Sequence, residues 1–142
     1  MATNSVYEKI LAEVNSKQRK SPSDVEHQIQ VACVHWFRYQ YSKLSLNLFA
    51  VPNGGQRGKA QAGKLKAEGV LAGVSDLILL IAGNGYNGLL IEMKTDKGKQ
   101  SESQKSWQQH IEKYGYKYVV CRSLDDFQKE INDYLHSTMT QL

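Results

Sequence analysis

Apolar positions along this chain switch between two periods. From Asp24 to about Tyr41, Val25, Ile29, Ala32, Cys33, Trp36 and Phe37 recur at the spacing of an amphipathic helix. LSLNLFAV then reads as a strand, VPNGGQRG as a loop of turn formers, and KAQAGKLKAEG as a short basic helix closed by Gly69. Two further apolar runs, LILLIA and GLLIEMK, flank the Gly/Asn-rich GNGYNG, which predicts a hairpin. A polar helix from about Ser101 to Tyr114 follows, ended by Gly115, then the strand KYVVC. The last helix runs from Leu124 to about His136, with Phe127, Ile131, Tyr134 and Leu135 on its buried face and Ser123 with Asp126 as its capping box. A short, weakly specified helix around Ser5 to Val14 and the linker NSKQRKSPS precede all of this. The order predicts an α/β fold, a mixed central sheet of about four strands flanked by helices. One domain is expected over residues 1–142, with an N-terminal helix and linker at 1–22 and the core at 23–137.

The hairpin carries the first candidate chemistry. If Asp76 lies opposite Glu92, the turn centres on Asn84, inside the Gly/Asn stretch, so spacing and turn chemistry agree on one register. Glu92 and Lys94 then point the same way, with Asp76 beside them from the neighbouring strand. Two adjacent carboxylates repel, and charges at the ends of apolar strands lose hydration. A divalent cation such as Mg²⁺ would remove the difficulty. A plain salt bridge at the strand ends is the competing explanation.

Composition narrows the setting. A chain of 142 residues with no apolar stretch long enough to span a bilayer, and no apolar segment after its first Met, is expected to work in the cytoplasm, away from membranes. Cys33 and Cys121 lack both CxxC spacing and a nearby histidine, so both read as buried thiols; the four histidines are scattered and suggest no zinc site. The net charge of +4 matters through its distribution. Arg57, Lys59, Lys64 and Lys66 form one cluster, and Lys94, Lys97, Lys99 and Lys105 another; each is either a solvated face or a phosphate-binding patch. GNGYNG matches G-x-G-x-x-G, but a strand follows it where a dinucleotide site needs a helix, so no nucleotide cofactor is expected.

Two polar residues lie on apolar stripes. Glu26 falls within the arc of Ala32, Cys33 and Phe37. With Ser23 as the cap its carboxylate closes a capping box; with Ser21 as the cap and Pro22 at the first helical position it is an inward-facing acid in the second turn. Gln104 shares the stripe of Trp107, Ile111 and Tyr114, and either closes a capping box with Ser101 or serves the site.

Taken together, Glu26, VPNGGQRG, GVSD ending at Asp76, IEMK carrying Glu92 and Lys94, and Gln104 followed by Trp107 resemble the VRR-NUC (virus-type replication-repair nuclease) family. That family lies in the PD-(D/E)XK nuclease superfamily, and the likeness runs from about Asp24 to Cys121 in a stand-alone domain. Ser75 stands where the superfamily's nominal motif has proline. The resemblance implies a restriction-endonuclease-like core and a metal held by Asp76, Glu92 and the backbone carbonyl of Met93. It also implies that Lys94 positions or activates the attacking water, that Glu26 supports a metal or its water, and that Gln104, Asn53 and Gly54 lie beside the site.

Metal-assisted phosphodiester hydrolysis follows as the expected reaction, with Mg²⁺, or Mn²⁺ in its place, as cofactor. Arg57, Lys64 and Lys66 are the expected phosphate contacts, with Asn53 beside them. So small a chain has no evident module for reading base sequence, so recognition of DNA structure is expected. Cutting both strands of a duplex or junction needs two sites, most simply from a homodimer. The resemblance implies branched DNA as the substrate. The resemblance sharpens this to Holliday junctions and a phage setting. A flap or single-strand nuclease, a restriction-like endonuclease, and a non-catalytic nucleic-acid-binding module are the alternatives.

Overall fold

The computed structural model describes residues 5, 6, 8, 9, 21–52 and 58–139. Residues 5, 6, 8 and 9 are helical; the rest of the expected N-terminal helix, its linker to residue 20, and Asn53, Gly54 and Arg57 lie outside the described residues.

Helix α1 (Pro22–Gln40) starts by the second of the two routes open to it. The Ser21 hydroxyl accepts the Asp24 N–H at 3.3 Å, and Pro22 occupies the first turn, where its missing donor costs nothing. Ala32, Cys33, Trp36 and Phe37 form its buried face.

The expected strand over residues 44–51 is corrected. Ser42–Asn47 is a 3₁₀ helix, and strand β1 is only Leu48–Ala50. Leu44, Leu46 and Leu48 mimic alternation, yet Leu44 packs on the core and Leu46 is 95% exposed. The Leu44 N–H bonds the Tyr41 carbonyl at 2.8 Å and closes the turn instead. Helix α2 (Lys59–Ala67) buries none of its residues. It ends as expected, with Gly69 at φ 104 just beyond.

Strands β2 (Leu77–Leu79) and β3 (Leu89–Met93) form the hairpin. Leu77 pairs with Ile91, which makes Asp76 and Glu92 the next opposing positions, the expected register. At the tip, Gly83 and Tyr86 exchange hydrogen bonds of 2.9 Å around Asn84 (φ 52) and Gly85 (φ 80). Positive φ at both central residues is the twist-matched geometry that Asn-Gly favours. Helix α3 (Glu102–Glu112), strand β4 (Lys117–Cys121) and helix α4 (Leu124–Met139) complete the fold. Asp126 departs from the expected capping box: its N–H reaches Ser123 Oγ at 3.0 Å, but its carboxylate takes the Arg122 N–H at 2.9 Å.

The sheet order is β1-β2-β3-β4, antiparallel except for the parallel β3/β4 pair, so the expected mixed four-stranded α/β fold is present. Its two faces differ. Leu48, Leu77, Leu79, Leu89, Ile91, Met93 and Cys121 build one core with Cys33, Trp36 and Phe37 of α1 and with Phe127, Ile131, Tyr134 and Leu135 of α4. On the other face, pairing places Phe49, Ile78, Leu90 and Tyr118 in one row and Asp76, Glu92 and Val120 in the next. Helix α3 covers the β4 side of that face, its Trp107 ring edge-on to Tyr118 at 6.2 Å. Both cysteines are buried free thiols, as expected.

Candidate active site

The site is built where the hairpin ends. Glu92, near the end of β3, is only 1% exposed despite its charge. Gln104 Nε2 donates to its Oε1 at 2.9 Å, and the Tyr118 hydroxyl donates to its Oε2 at 3.2 Å. Lys94 Nζ lies 3.7 Å from Oε1 and is 12% exposed. Across the hairpin, Asp76 Oδ2 accepts the Met93 N–H at 2.7 Å. That bond replaces the ladder bond β2 would make if its strand continued, because β2 begins only at Leu77.

Burial raises the Glu92 pKa to about 8, helped by the charge and hydrogen bonding of Asp76, while Lys94 and Tyr118 pull the other way. Without a cation Glu92 therefore keeps its proton to higher pH than an ordinary carboxyl does. Burial is also the main cause that pushes the Tyr118 hydroxyl upward, followed by the charge of Glu92. Burial raises Glu26 as well; Lys94 lowers it and Asp76 raises it, so its carboxyl feels both. The Ser21 start of α1 leaves Glu26 in the second turn, clear of the cap.

The donors suit a hard divalent cation, for burial and the charge of Asp76 outweigh Lys94 in their effect on Glu92 and leave the opposed carboxyls undercompensated. Among the described residues, however, no three Asp, Glu, His or Cys side chains converge closely enough to hold an ion. Asp76 and Glu92 oppose each other across the hairpin, and Glu26 lies near enough to Asp76 and Lys94 to feel the charge of both. A two-carboxylate set still meets the habit of Mg²⁺, which keeps several waters.

Gln104 resolves its two alternatives by satisfying both. Its Oε1 accepts the Ser101 N–H at 2.8 Å and its own N–H reaches Ser101 Oγ at 3.2 Å, while its Nε2 serves Glu92. The cap fixes the amide, and the amide fixes the carboxylate. Behind it, Gly73 at φ +90 packs so tightly that an added Cβ would lie 2.5 Å from the Ser103 carbonyl oxygen.

Sequence reasoning missed four contributors: Tyr118, Gln100, Arg122 and Gly73. Gln100 Nε2 reaches the Tyr118 hydroxyl at 3.3 Å and Gln108 Oε1 at 2.9 Å. Arg122 Nη1 donates to the carbonyls of Thr95 and Gly98 at 2.7 Å each and lies 3.2 Å from that of Asp96, clamping the turn after Lys94. Tyr118 and Val120 share a face of β4, and it is the β3/β4 pairing that makes it the face of Glu92.

The basic residues are more dispersed. Lys64 and Lys66 are exposed on α2, and Lys97 and Lys99 are exposed on the turn that Arg122 holds. Lys105 is paired with Glu102 at 3.5 Å. Among the described residues no helix is long and apolar enough to cross a membrane.

Comparison with known proteins agrees with this geometry. A family model, the VRR-NUC domain, matches residues 24–125. A solved structure described as "VRR_NUC domain protein" superposes with a TM-score of 0.71 at 28% identity, covering 84% of this chain and 93% of that one. No curated protein matches the chain.

Proposed function

Because the chain belongs to the VRR-NUC family of PD-(D/E)XK nucleases, we propose that it is a divalent-metal-dependent endonuclease that hydrolyses phosphodiester bonds in branched DNA. Holliday junctions are the leading substrate, with cleavage by a homodimer in a phage or bacterial cytoplasm. The observation that carries this reading is the opposition of Asp76 and Glu92, next to Lys94, with both oxygens of Glu92 oriented by fixed donors.

Asp76 and Glu92 would hold Mg²⁺ or Mn²⁺, with the Met93 carbonyl as a third oxygen. An extended strand directs a residue's N–H and C=O to the same side, and the Met93 N–H already faces Asp76. When bound, the cation would acidify a coordinated water and draw charge from the scissile phosphate. The protein's own groups do the rest. Gln104 and Tyr118 hold Glu92 in one rotamer, so its remaining lone pairs are aimed before substrate arrives. The largely buried Lys94 ammonium steadies the attacking oxygen and the charge that develops on the phosphate, where exclusion of water strengthens it. Glu26, facing Lys94 and Asp76, accepts a hydrogen bond from water at the rim. Asn53, Arg57, Lys64 and Lys66 are the proposed contacts to the DNA backbone.

The test is a gel assay on four-way junctions, flaps and linear duplex, with and without magnesium. Paired symmetric nicks on the junction are expected, lost on chelation and in Glu92→Ala. Cutting by Glu92→Ala at the wild-type rate would sink the assignment. Binding of every substrate without cleavage in either Mg²⁺ or Mn²⁺ would make the chain a non-catalytic module.

A further inference from the structure

The sheet face that carries the carboxylates is only half covered. Along its row, Leu90 and Tyr118 are buried under α3, Ile78 is half-buried, and Phe49 on the edge strand is 43% exposed. An exposed phenylalanine needs no explanation by itself. Its place does. Phe49 pairs with Ile78, so Asp76, two residues back, is its diagonal neighbour on the same face, about 7–8 Å away in strand geometry. A nucleotide whose phosphate lies against Asp76 and Glu92 therefore has its base within reach of the ring. Cations lie near the row along the chain: Lys94 is on this face, exposed Lys97 and Lys99 follow it, and exposed Lys59, Lys64 and Lys66 come after β1 in sequence. That charge complements a phosphate backbone.

We infer that Phe49, with Ile78 beside it, is a stacking platform for an unpaired base next to the scissile phosphate. The inference rests on the nuclease reading above and deepens it. A base inside a duplex has both faces occupied, so a lone ring on an open sheet selects nucleotides already out of the stack, such as those at a branch or flap. Selectivity for DNA structure then comes from the sheet face without base-edge contacts.

The experiment measures binding without turnover, using Ca²⁺ in place of Mg²⁺ and oligonucleotides with 2-aminopurine at the branch position. Phe49→Ala should raise Kd at least about fivefold for flap and single-stranded probes. Blunt duplex should be unaffected, and Phe49→Trp should retain wild-type affinity and 2-aminopurine quenching. Equal weakening on blunt duplex would overturn the platform. So would an unchanged ratio of affinities together with loss of a dimer in sedimentation velocity, which would assign the patch to a second copy of the chain. A Phe49→Ala effect on flaps in a protein that never cleaves would leave the platform standing and remove the nuclease reading.

Discussion

Gly73→Ala should damage this protein in a way that separates two physical effects. Gly73 has φ +90, a conformation that costs an L residue roughly 1–2 kcal/mol. An alanine Cβ there would also sit 2.5 Å from the carbonyl oxygen and 2.6 Å from the carbonyl carbon of Ser103, and 3.0 Å from the Gln104 nitrogen. Those are backbone atoms at the start of α3, so relief requires the loop and the helix to part. Overpacking of this kind costs roughly 1–3 kcal/mol, which brings the expected loss to about 2–5 kcal/mol with the strain included. Gly69 supplies the control, for its φ of +104 is equally unfavourable but nothing lies within 4 Å of an added Cβ. Thermal denaturation should show Gly69→Ala falling by several degrees and Gly73→Ala by about 5–15 °C, at ~2–4 °C per kcal/mol. Because Gln104 sits at the displaced helix start, Gly73→Ala should also weaken Mn²⁺ binding in titration calorimetry, and Gly69→Ala should not. Equal melting temperatures for the two variants would refute the close-packing argument.

Two further outcomes follow from the carboxylate pair. The folded-state pKa of Glu92, about 8, lies above its ordinary 4.5, so this group's stability contribution is full below about 4.5 and is lost as pH rises through about 8. In chelator, wild-type protein should therefore lose stability between about pH 5 and pH 9, a loss absent in Glu92→Gln; parallel pH profiles in chemical denaturation would contradict the assigned burial. Tyr118→Phe should weaken Mn²⁺ binding by roughly tenfold by removing the donor on Glu92 Oε2, with little change in secondary structure; an unchanged Kd would show that Gln104 alone orients the carboxylate.

Much of this site was legible because its residues are local to the hairpin, where turn chemistry and spacing fix the register that puts Asp76 opposite Glu92. The 3₁₀ segment was not, since Leu44, Leu46 and Leu48 satisfy a period of two while the Tyr41–Leu44 bond settles the backbone otherwise. Tyr118 and Arg122 were hidden for another reason: their partners are 26 and 24–27 residues away, and no local rule says which strands become neighbours. Gln104 teaches more than either. A capping box and a site role look like rivals when a residue is counted as one unit, but an amide has an acceptor end and a donor end. Here the acceptor closes the cap on Ser101 and the donor holds Glu92. The helix start thereby becomes the jig for the carboxylate, so Ser101→Ala should loosen Glu92 without touching it. Glu26 and its cap are separate by contrast: Ser21 takes the capping role, and the acid is left to face Asp76 and Lys94. Whether a polar residue on an apolar stripe serves the helix or the site is thus decided by how many of its atoms the helix consumes.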